Sequence, residues 1–296
     1  MTHDLLAGIE AAHVPTRRLT VATLGVEGRS EGDPVLFVHG NVSSSLFWQQ
    51  TMLDLPASYR PIALDLRGFG GTDPLPVDAT RGLRDYADDV AATLDALNIE
   101  RVHLVGWSMG GGVVLELVRA APERVDTVTL VNPVSPYGFG ATRGVDGALL
   151  DPSGAGSGGG TANPDFVERL AADDRSDDSP TSPRQVLLGA YVKPPFVPAL
   201  ADIFVESMLS TVTGDDHYPG DHLPSDAWPG VAPGTRGVLN TMAPTHFRID
   251  DLHEIEAKPP IHWIRGAADQ IVSDTSLFDL AYLGSIGVVP GWPGAD

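Results

Sequence analysis

The segment Val102–Gly111, with the sequence VHLVGWSMGG, decides the fold of this chain. It opens with a short apolar run typical of a buried strand, and helix-period apolar residues follow from Met109 onward. Between the two lies a Gly-x-Ser-x-Gly pattern, in which Gly106 and Gly110 allow a strained turn to close around Ser108. Such a turn exposes the serine hydroxyl beside a helix N-terminus, where developing negative charge is stabilised. The segment therefore predicts a strand, a sharp turn that carries a nucleophile, and a helix.

Similar short apolar runs on both sides of this segment predict a mostly parallel sheet. Runs rich in Val, Ile and Leu alternate with helix-period segments, which is the pattern of buried strands joined by crossover helices. The predicted strands are Val35–Val38, Ile62–Leu66, Val102–Val105, Val128–Val131 and Ile261–Ile264. Apolar residues at three- and four-residue steps predict one helix over Leu83–Leu97 and a second from just after Ser108 to Ala121. We expect an α/β fold with helices on both faces of the sheet.

The strand pattern stops after Asn132 and returns at Ile261. The residues between contain clustered prolines, an acidic patch and a Gly/Ser-rich tract, Ser153–Gly160, which we expect to be a mobile loop. One amphipathic helix is expected over Leu200–Val212. We therefore divide the chain into core residues 1–132, an inserted cap or lid at 133–258, and a return to the core at 259–296 that is incomplete. Five large apolar cap residues are candidates to enclose a pocket: Phe139, Phe196, Phe204, Met208 and Trp228.

Composition excludes several classes of function. The 296 residues carry 19 Lys plus Arg against 39 Asp plus Glu, a formal net charge of -20, which repels phosphate backbones and anionic lipids. We therefore expect neither nucleic acid nor membrane as a partner. The absence of cysteine excludes disulfides and thiolate catalysis. Residues 1–20 lack a basic region followed by an apolar run, and no run approaches the roughly 18 apolar residues of a spanning helix, so we expect a cytoplasmic protein.

No cofactor or metal is expected. The sequence contains no phosphate loop or dinucleotide fingerprint. His217 and His222 lie near aspartates, but their five-residue spacing in a Pro/Gly-rich stretch is a loose ligand pattern, and we interpret it as a surface loop.

Beyond the serine turn, two further segments resemble the α/β-hydrolase family. Phe37–Gly40 and Asp65–Gly70 are similar to that family's segments at the ends of two successive strands, and the order of the pieces also matches. The resemblance implies a serine hydrolase whose oxyanion hole is formed by the backbone N–H groups of Asn41 and Met109. It also implies that His39, which precedes Asn41, holds this loop and is not the catalytic base.

The resemblance also indicates where the other site residues lie. Trp107, next to the nucleophile, is expected to pack there or to line the pocket. The acid should follow the strand Ile261–Ile264, where Asp269 would orient a histidine toward Ser108. Asp274, on the same loop, is the alternative. Some relatives carry the acid after the preceding strand, but this chain has Asn132 there.

The catalytic histidine is missing from its expected position. The family order is Ser, then Asp or Glu, then His, yet no histidine follows Asp269. His262 lies within a predicted strand, where a structural role is expected. Substitutes from the cap are an alternative: His217, His222, His246 and His253. We expect instead that a C-terminal segment beyond Asp296 carries the histidine, either as a docked fragment after cleavage or in a longer protein.

These features predict hydrolysis of a carboxylic ester or lactone of a small, largely apolar substrate through an acyl-enzyme on Ser108. The family resemblance leaves the bond type open, because similar triads also cleave amides and carbon–carbon bonds. Haloalkane dehalogenases and epoxide hydrolases share the fold but use an aspartate nucleophile, so Ser108 argues against both. The alternative is a catalytically inactive binding protein that keeps the fold.

Overall fold

A seven-stranded sheet forms the centre of the protein. The structure is a computed structural model that describes residues 5–294. The strands are β1 (Ile9–Pro15), β2 (Thr20–Val26), β3 (Asp33–Val38), β4 (Tyr59–Leu64), β5 (Val102–Trp107), β6 (Val125–Val131) and β7 (Ile261–Ile264). Their order in the sheet is β1-β2-β4-β3-β5-β6-β7. All pairs from β4 to β7 are parallel, whereas β1 pairs antiparallel with β2, and β2 pairs antiparallel with β4. The predicted mostly parallel α/β sheet is confirmed.

Helices cover both faces of this sheet, also as predicted. They are α1 (Gln49–Asp54), α2 (Arg84–Ala96), α3 (Met109–Ala120), α4 (Pro164–Ala171), α5 (Pro183–Val186), α6 (Ala201–Leu209) and α7 (Leu280–Ser285). Alternate residues of β3 enter different clusters, since Leu36 and Val38 pack with α2 and α3, whereas Val35 and Phe37 pack with Trp48 and α1. No helix within residues 5–294 has the length and apolar character needed to cross a bilayer.

Short 3-10 helices connect several of these elements. Those in the sheet region are Ser45–Trp48, Ala79–Arg81 and Pro122–Arg124. Those between β6 and β7 are Gly159–Thr161, Leu239–Met242 and Leu252–Glu254, together with a π-helical turn at Leu187–Tyr191.

The segment between β6 and β7 adds no strand to the central sheet in the part of the chain that the structure describes. It contains α4, α5, α6 and three two-stranded ribbons: Thr142–Arg143 with Ala148–Leu149, Thr213–Gly214 with Tyr218–Pro219, and His222–Pro224 with Val231–Pro233. The helix predicted over Leu200–Val212 is present as the shorter α6, with Met208 fully buried. The assignment of residues 133–258 as a cap domain stays a prediction.

The Gly/Ser-rich tract is tightly packed, so the predicted mobile loop is wrong. Residues 154–159 are buried, and the N–H of Gly159 donates to Asn240 Oδ1 at 2.8 Å. A Cβ at Gly159 would lie 2.4 Å from the Asp221 carbonyl oxygen, and one at Gly158 would lie 2.3 Å from Asn240 Oδ1. Glycine is required here because neighbouring polar atoms approach the backbone too closely for any side chain.

A buried ion pair joins the loop after β4 to α2. Arg67 Nε and Nη2 donate to the two carboxylate oxygens of Asp89 at 2.6 and 2.8 Å, and Arg67 Nη1 donates to the Pro76 carbonyl at 2.9 Å. This planar, two-point geometry is the strong form of an Arg–carboxylate contact. It fixes the loop that runs beside the serine-bearing edge of the sheet.

Strand β7 is exposed at the edge of the sheet. Within the described residues it pairs only with β6, and all four of its residues are exposed, including Trp263 at 60%. The side chains of Ile261 and Ile264 are exposed to 47% and 46%. An unpaired edge with apolar side chains is a template on which another strand can pair.

Candidate active site

Ser108 lies on a strained turn between β5 and α3, as predicted. Its φ of 53° and ψ of -121° are unusual for a residue with a side chain. The Ser108 N–H donates to the Val131 carbonyl at 3.0 Å, and the Ser108 carbonyl accepts from Gly111 and Val134 at 2.9 and 3.0 Å. These hydrogen bonds hold the backbone in a conformation that would otherwise be costly.

The glycines of the motif are dictated by close backbone contacts. A Cβ at Gly106 would lie 2.5 Å from the Gly110 carbonyl oxygen. A Cβ at Gly110 would lie 2.4 Å from the carbonyl oxygens of both Val38 and His39. The start of α3 can therefore approach β5 and the end of β3 only because neither glycine has a side chain.

The loop after β3 is held by two hydrogen bonds to the Gly40 carbonyl. The Gly40 carbonyl accepts from His39 Nδ1 at 2.7 Å and from the Ser43 hydroxyl at 2.8 Å, which draws that oxygen into the protein. In a trans peptide the C=O and the N–H point in opposite directions, so the Asn41 N–H is directed to the other side, where Asn41 lines a cavity. The other predicted donor, the Met109 N–H, belongs to the first residue of α3, where helix N–H groups have no intrahelical acceptor.

The geometry of His39 agrees with the expected structural role. Its ring is fully buried, and its Nε2 accepts from the Leu66 N–H at 2.9 Å, which assigns the proton to Nδ1. Burial lowers the pKa of His39 below its usual value, opposed by the nearby charge of Asp65. His39 is therefore a neutral group that connects two backbone segments.

Tyr191 also supports this loop, and the sequence gives no motif that would have identified it. Its hydroxyl lies 3.1 Å from the carbonyl oxygens of both Asn41 and Val42. Val42 has a φ of 47°, so this hydrogen bond stabilises a strained backbone. The ring of Tyr191 also contacts Trp107 edge-on, with 5.7 Å between ring centroids.

Asp269 lies on the same cavity as Ser108, and half of its carboxylate is free. Oδ1 accepts from the N–H groups of Ile271 and Val272 at 2.8 and 3.0 Å, whereas Oδ2 is buried without a partner within residues 5–294. A buried carboxylate oxygen without a partner is costly, and it is the atom that would accept a histidine N–H. The alternative acid, Asp274, has a side chain that is 99% exposed, 3.9 Å from Arg265, and it does not line the cavity.

Asn132, at the end of β6, joins the acid loop to the sheet. Its Oδ1 accepts from the Gly266 N–H at 2.7 Å, and its own N–H donates to the Ile264 carbonyl at 2.9 Å. Asn132 also lines the cavity. The residue at this alternative acid position therefore positions the loop that carries Asp269.

The cavity in front of Ser108 has a volume of about 670 Å³ and a mostly apolar lining. Trp107 is among the lining residues, as expected. Apolar side chains come from three parts of the chain: Val42, Trp107 and Val134 near the sheet; Phe139, Phe166, Val186, Tyr191, Tyr218, Leu239 and Met242 from the inserted segment; and Ile271, Val272, Leu277, Phe278, Leu280 and Leu283 after β7.

Four of the five predicted cap residues do not line this cavity. Phe196 is 62% exposed, and Met208 is buried within the core. Phe204 stacks on Phe47 at 4.3 Å between centroids, and Trp228 packs edge-on against Trp292. Of the five, only Phe139 lines the cavity. Apolar character alone did not predict which residues would do so, because an apolar side chain can be buried against the core or against a neighbouring side chain as well as against a cavity.

The charge of the cavity comes from one residue. Asp269 is the single acidic residue among the described residues that line the cavity, and no Lys, Arg or His of the described residues lines it. None of the four histidines named above as substitutes lines it. His246 Nδ1 contacts the Asn240 carbonyl at 3.1 Å, and His217 lies beside Gly68. Residues 5–294 also contain no group of three or more His, Cys, Asp or Glu placed to hold a metal.

Comparison with known proteins agrees with this fold. Residues 33–167 match the alpha/beta hydrolase fold family. The chain has the α/β-hydrolase fold. A protein of Variovorax paradoxus (strain S110), provisionally named carbamate hydrolase RutD, is 41% identical over 132 residues, which cover 44% of this chain and 49% of that protein. The 2-hydroxy-6-oxo-6-phenylhexa-2,4-dienoate hydrolase of Comamonas testosteroni is 37% identical over 107 residues, covering 35% of this chain and 37% of that protein.

Solved structures agree on the fold. The esterase RhEst1 from Rhodococcus sp. ECU1013 superposes with a TM-score of 0.57 at 22% identity, over 90% of this chain and 83% of that one. At this identity the similarity establishes the fold alone. The chain spans about half or less of the length of the curated relatives it matches. The two relatives named above align with less than half of this chain.

Proposed function

We propose that this protein is a serine hydrolase that cleaves a carboxylic ester or lactone of a small, largely apolar substrate through an acyl-enzyme on Ser108. The observation that carries the proposal is the juxtaposition of Ser108, on its strained turn, with Asp269 on one apolar cavity of about 670 Å³. The names of the relatives support the hydrolase class, and the apolar lining supports the substrate character.

In the proposed reaction the Ser108 Oγ attacks the carbonyl carbon while its proton passes to a histidine. The resulting oxyanion accepts hydrogen bonds from the N–H groups of Asn41 and Met109, each of which contributes roughly 3–4 kcal/mol in comparable sites. Collapse of this intermediate breaks the ester bond, and the alcohol leaves with the proton from the histidine. Water, activated by the same histidine, then releases the acid and restores Ser108. With a lactone, the alcohol and the acid are parts of one product.

We propose that the histidine comes from a polypeptide segment beyond Asp296. The cleavage position expected after Asp296 lies outside the described residues. Two observations support an additional segment at this end of the sheet. Asp269 Oδ2 is buried and lacks a partner in the described part of the chain, and β7 presents an exposed, unpaired edge next to the loop that carries Asp269. A strand paired with that edge would lead a following loop toward the carboxyl ends of the strands, where Ser108 lies.

The charge of the cavity narrows the substrate class. The Comamonas relative is named for a dienoate, which is a carboxylate anion. A carboxylate in this cavity would meet Asp269 and no cationic side chain from the described residues, so its desolvation would be uncompensated. We therefore propose an uncharged ester or lactone and not an anionic substrate.

Labelling with a fluorophosphonate probe tests this function. We expect phosphonylation at Ser108 that is lost in Ser108→Ala and kept in Ser153→Ala, which changes a serine on the exposed rim of a turn. If the histidine is supplied from outside this chain, added imidazole should accelerate labelling of the 296-residue chain, and a longer natural form should label without it. Failure of both preparations to label would favour the inactive binding protein.

A further inference from the structure

Two tyrosines from the inserted segment line the cavity, and their hydroxyls differ. The hydroxyl of Tyr191 is used within the protein, since it lies 3.1 Å from the carbonyl oxygens of Asn41 and Val42. The hydroxyl of Tyr218 makes no hydrogen bond within residues 5–294. This oxygen is not among the polar atoms that are sealed from solvent, so it is open to a partner that enters the cavity.

Tyr218 is held in place by its neighbours. The residue is 5% exposed, and its ring packs edge-on against Phe166 with 6.3 Å between centroids. Its backbone N–H donates to the Val212 carbonyl at 3.1 Å, within the ribbon in which it pairs with Thr213. Because Tyr218 lines the cavity, its hydroxyl can donate to a molecule that is bound there.

The chemistry of this group is that of a neutral donor. Burial raises the pKa of Tyr218 above its ordinary value, so the phenol keeps its proton at physiological pH. No cationic side chain lines the cavity in the described part of the chain, so a carboxylate at this point would have no counter-ion. A ketone, ether or ester oxygen can accept this hydrogen bond without bringing a charge into the cavity.

We propose that Tyr218 is a specificity-determining residue whose hydroxyl binds a second, uncharged acceptor on the substrate. The acceptor is distinct from the scissile carbonyl, whose oxygen is bound by the Asn41 and Met109 N–H groups. This inference rests on the proposed function and deepens it. The substrate class becomes an uncharged ester or lactone with a further carbonyl or ether oxygen.

Non-hydrolysable ketones test the proposal by binding alone. We would measure dissociation constants for 2-nonanone and for three diketones with different carbonyl spacing, namely 2,6-heptanedione, 2,8-nonanedione and 2,10-undecanedione. The readout is saturable quenching of tryptophan fluorescence that is lost in Trp107→Phe, since Trp107 lines the cavity. At least one diketone should bind about two- to tenfold more tightly than the monoketone. The keto acid 8-oxononanoate should bind more weakly than 2,8-nonanedione.

A tyrosine outside the cavity supplies the matched control. Tyr218→Phe should remove the preference for the diketone, whereas Tyr59→Phe, which loses one hydroxyl from β4 and does not line the cavity, should keep it. Circular dichroism establishes that both variants are folded. Saturable binding with no diketone preference, a preference that survives Tyr218→Phe, or no saturable binding of any diketone would each overturn the proposal.

The fluorophosphonate experiment separates this proposal from the proposed function. Labelling of Ser108 without a diketone preference would overturn the role of Tyr218 alone. A preference that depends on Tyr218 in a protein that never labels would overturn the hydrolase and leave a binding site for uncharged, oxygen-bearing ligands.

Discussion

His39 connects two backbone segments only while it is neutral. Its Nε2 must accept from Leu66, and its Nδ1 must donate to the Gly40 carbonyl, which sets the direction of the Asn41 N–H. A second proton would place a hydrogen on Nε2, facing the Leu66 N–H. Protonation of His39 therefore destabilises the folded state but not the unfolded state.

The stability of the protein should accordingly depend on pH through His39. Its pKa is lowered on folding by burial, so below the unfolded value of about 6.5 the unfolded chain binds a proton that the folded chain refuses. The free energy of unfolding should fall as the pH drops from 6.5 toward the lowered folded pKa. Urea denaturation of wild type and His39→Gln between pH 7.5 and 5 measures this effect. The variant should show a smaller pH dependence, and equal slopes would contradict the assignment.

Variants of Asp269 and Asp274 test which aspartate orients the catalytic histidine. Asp269→Asn keeps an oxygen for the Ile271 and Val272 N–H groups but loses the charge that would orient a histidine. Phosphonylation of Ser108, measured in the presence of the histidine-bearing segment or of imidazole, should slow by roughly 10²–10⁴-fold with little loss of stability. Asp274→Asn, which changes an exposed side chain, should leave the rate unchanged. A larger effect at Asp274 would reverse the assignment.

Sequence motifs identify the candidate residues whose backbone conformation depends on their immediate neighbours in the sequence. Ser108 and the Asn41 loop each follow a buried strand, so a few neighbouring residues define their backbone. No sequence motif identifies Tyr191, because its hydroxyl contacts the Asn41 carbonyl across a separation of 150 residues. Such a contact follows from the packing of the segment between β6 and β7, which carries no regular pattern.

Among the elements, α2 is attached to the loop after β4 by a pair of charges that are nearly inaccessible to water. The side chains of Arg67 and Asp89 are 6% and 5% exposed. Arg18 Nε also donates to Asp89 at 2.6 Å, so this carboxylate serves two cations. Without Asp89, the buried Arg67 would keep only a long contact with Asp85 at 3.8 Å and its hydrogen bond to the Pro76 carbonyl, and loss of the close partner is the costly way to break such a site.

We therefore expect Asp89→Ala to lower the free energy of unfolding by about 3–5 kcal/mol. Asp88→Ala, one position away on the same helix, is the control. Asp88 is more exposed and pairs with Arg81 and Arg84 at the surface, so its loss should cost about 1 kcal/mol or less. Urea denaturation of both variants measures the difference. Similar losses would show that burial of the pair does not set its strength.

The sequence predicts a strand correctly where both of its faces are buried, and it does not predict a strand that is largely exposed. The runs behind β3 to β6 are apolar because both faces of these strands are covered, and α2 and α3 lie within one residue of their predicted limits. The sequence does not reveal the hairpin of β1 and β2, because β1 is exposed along most of its length and lacks an apolar run. It also does not reveal the packing of the Gly/Ser-rich tract, because composition does not separate a flexible loop from close backbone packing.

At the scale of the whole molecule, the excess of acidic residues is the dominant property. With 39 acidic against 19 basic side chains, the folded state carries a repulsion that its surface ion pairs only partly offset. Salt screens this repulsion, since the Debye length falls from roughly 20 Å to about 6 Å between 20 and 300 mM ionic strength. Screening also weakens the surface pairs, but each of these contributes little.

The melting temperature at pH 8 should therefore rise between 20 and 300 mM NaCl, by about 2–4 °C for each kcal/mol of repulsion removed. Differential scanning calorimetry at matched protein concentration measures the shift. Near pH 5 the net charge is close to zero, since the sequence pI is about 4.6, and the same salt step should leave the melting temperature unchanged or lower it. A fall in the melting temperature at pH 8 would mean that the attraction within the surface ion pairs outweighs the repulsion from the net charge. The acidic side chains would then be balanced by neighbouring basic side chains in the folded state.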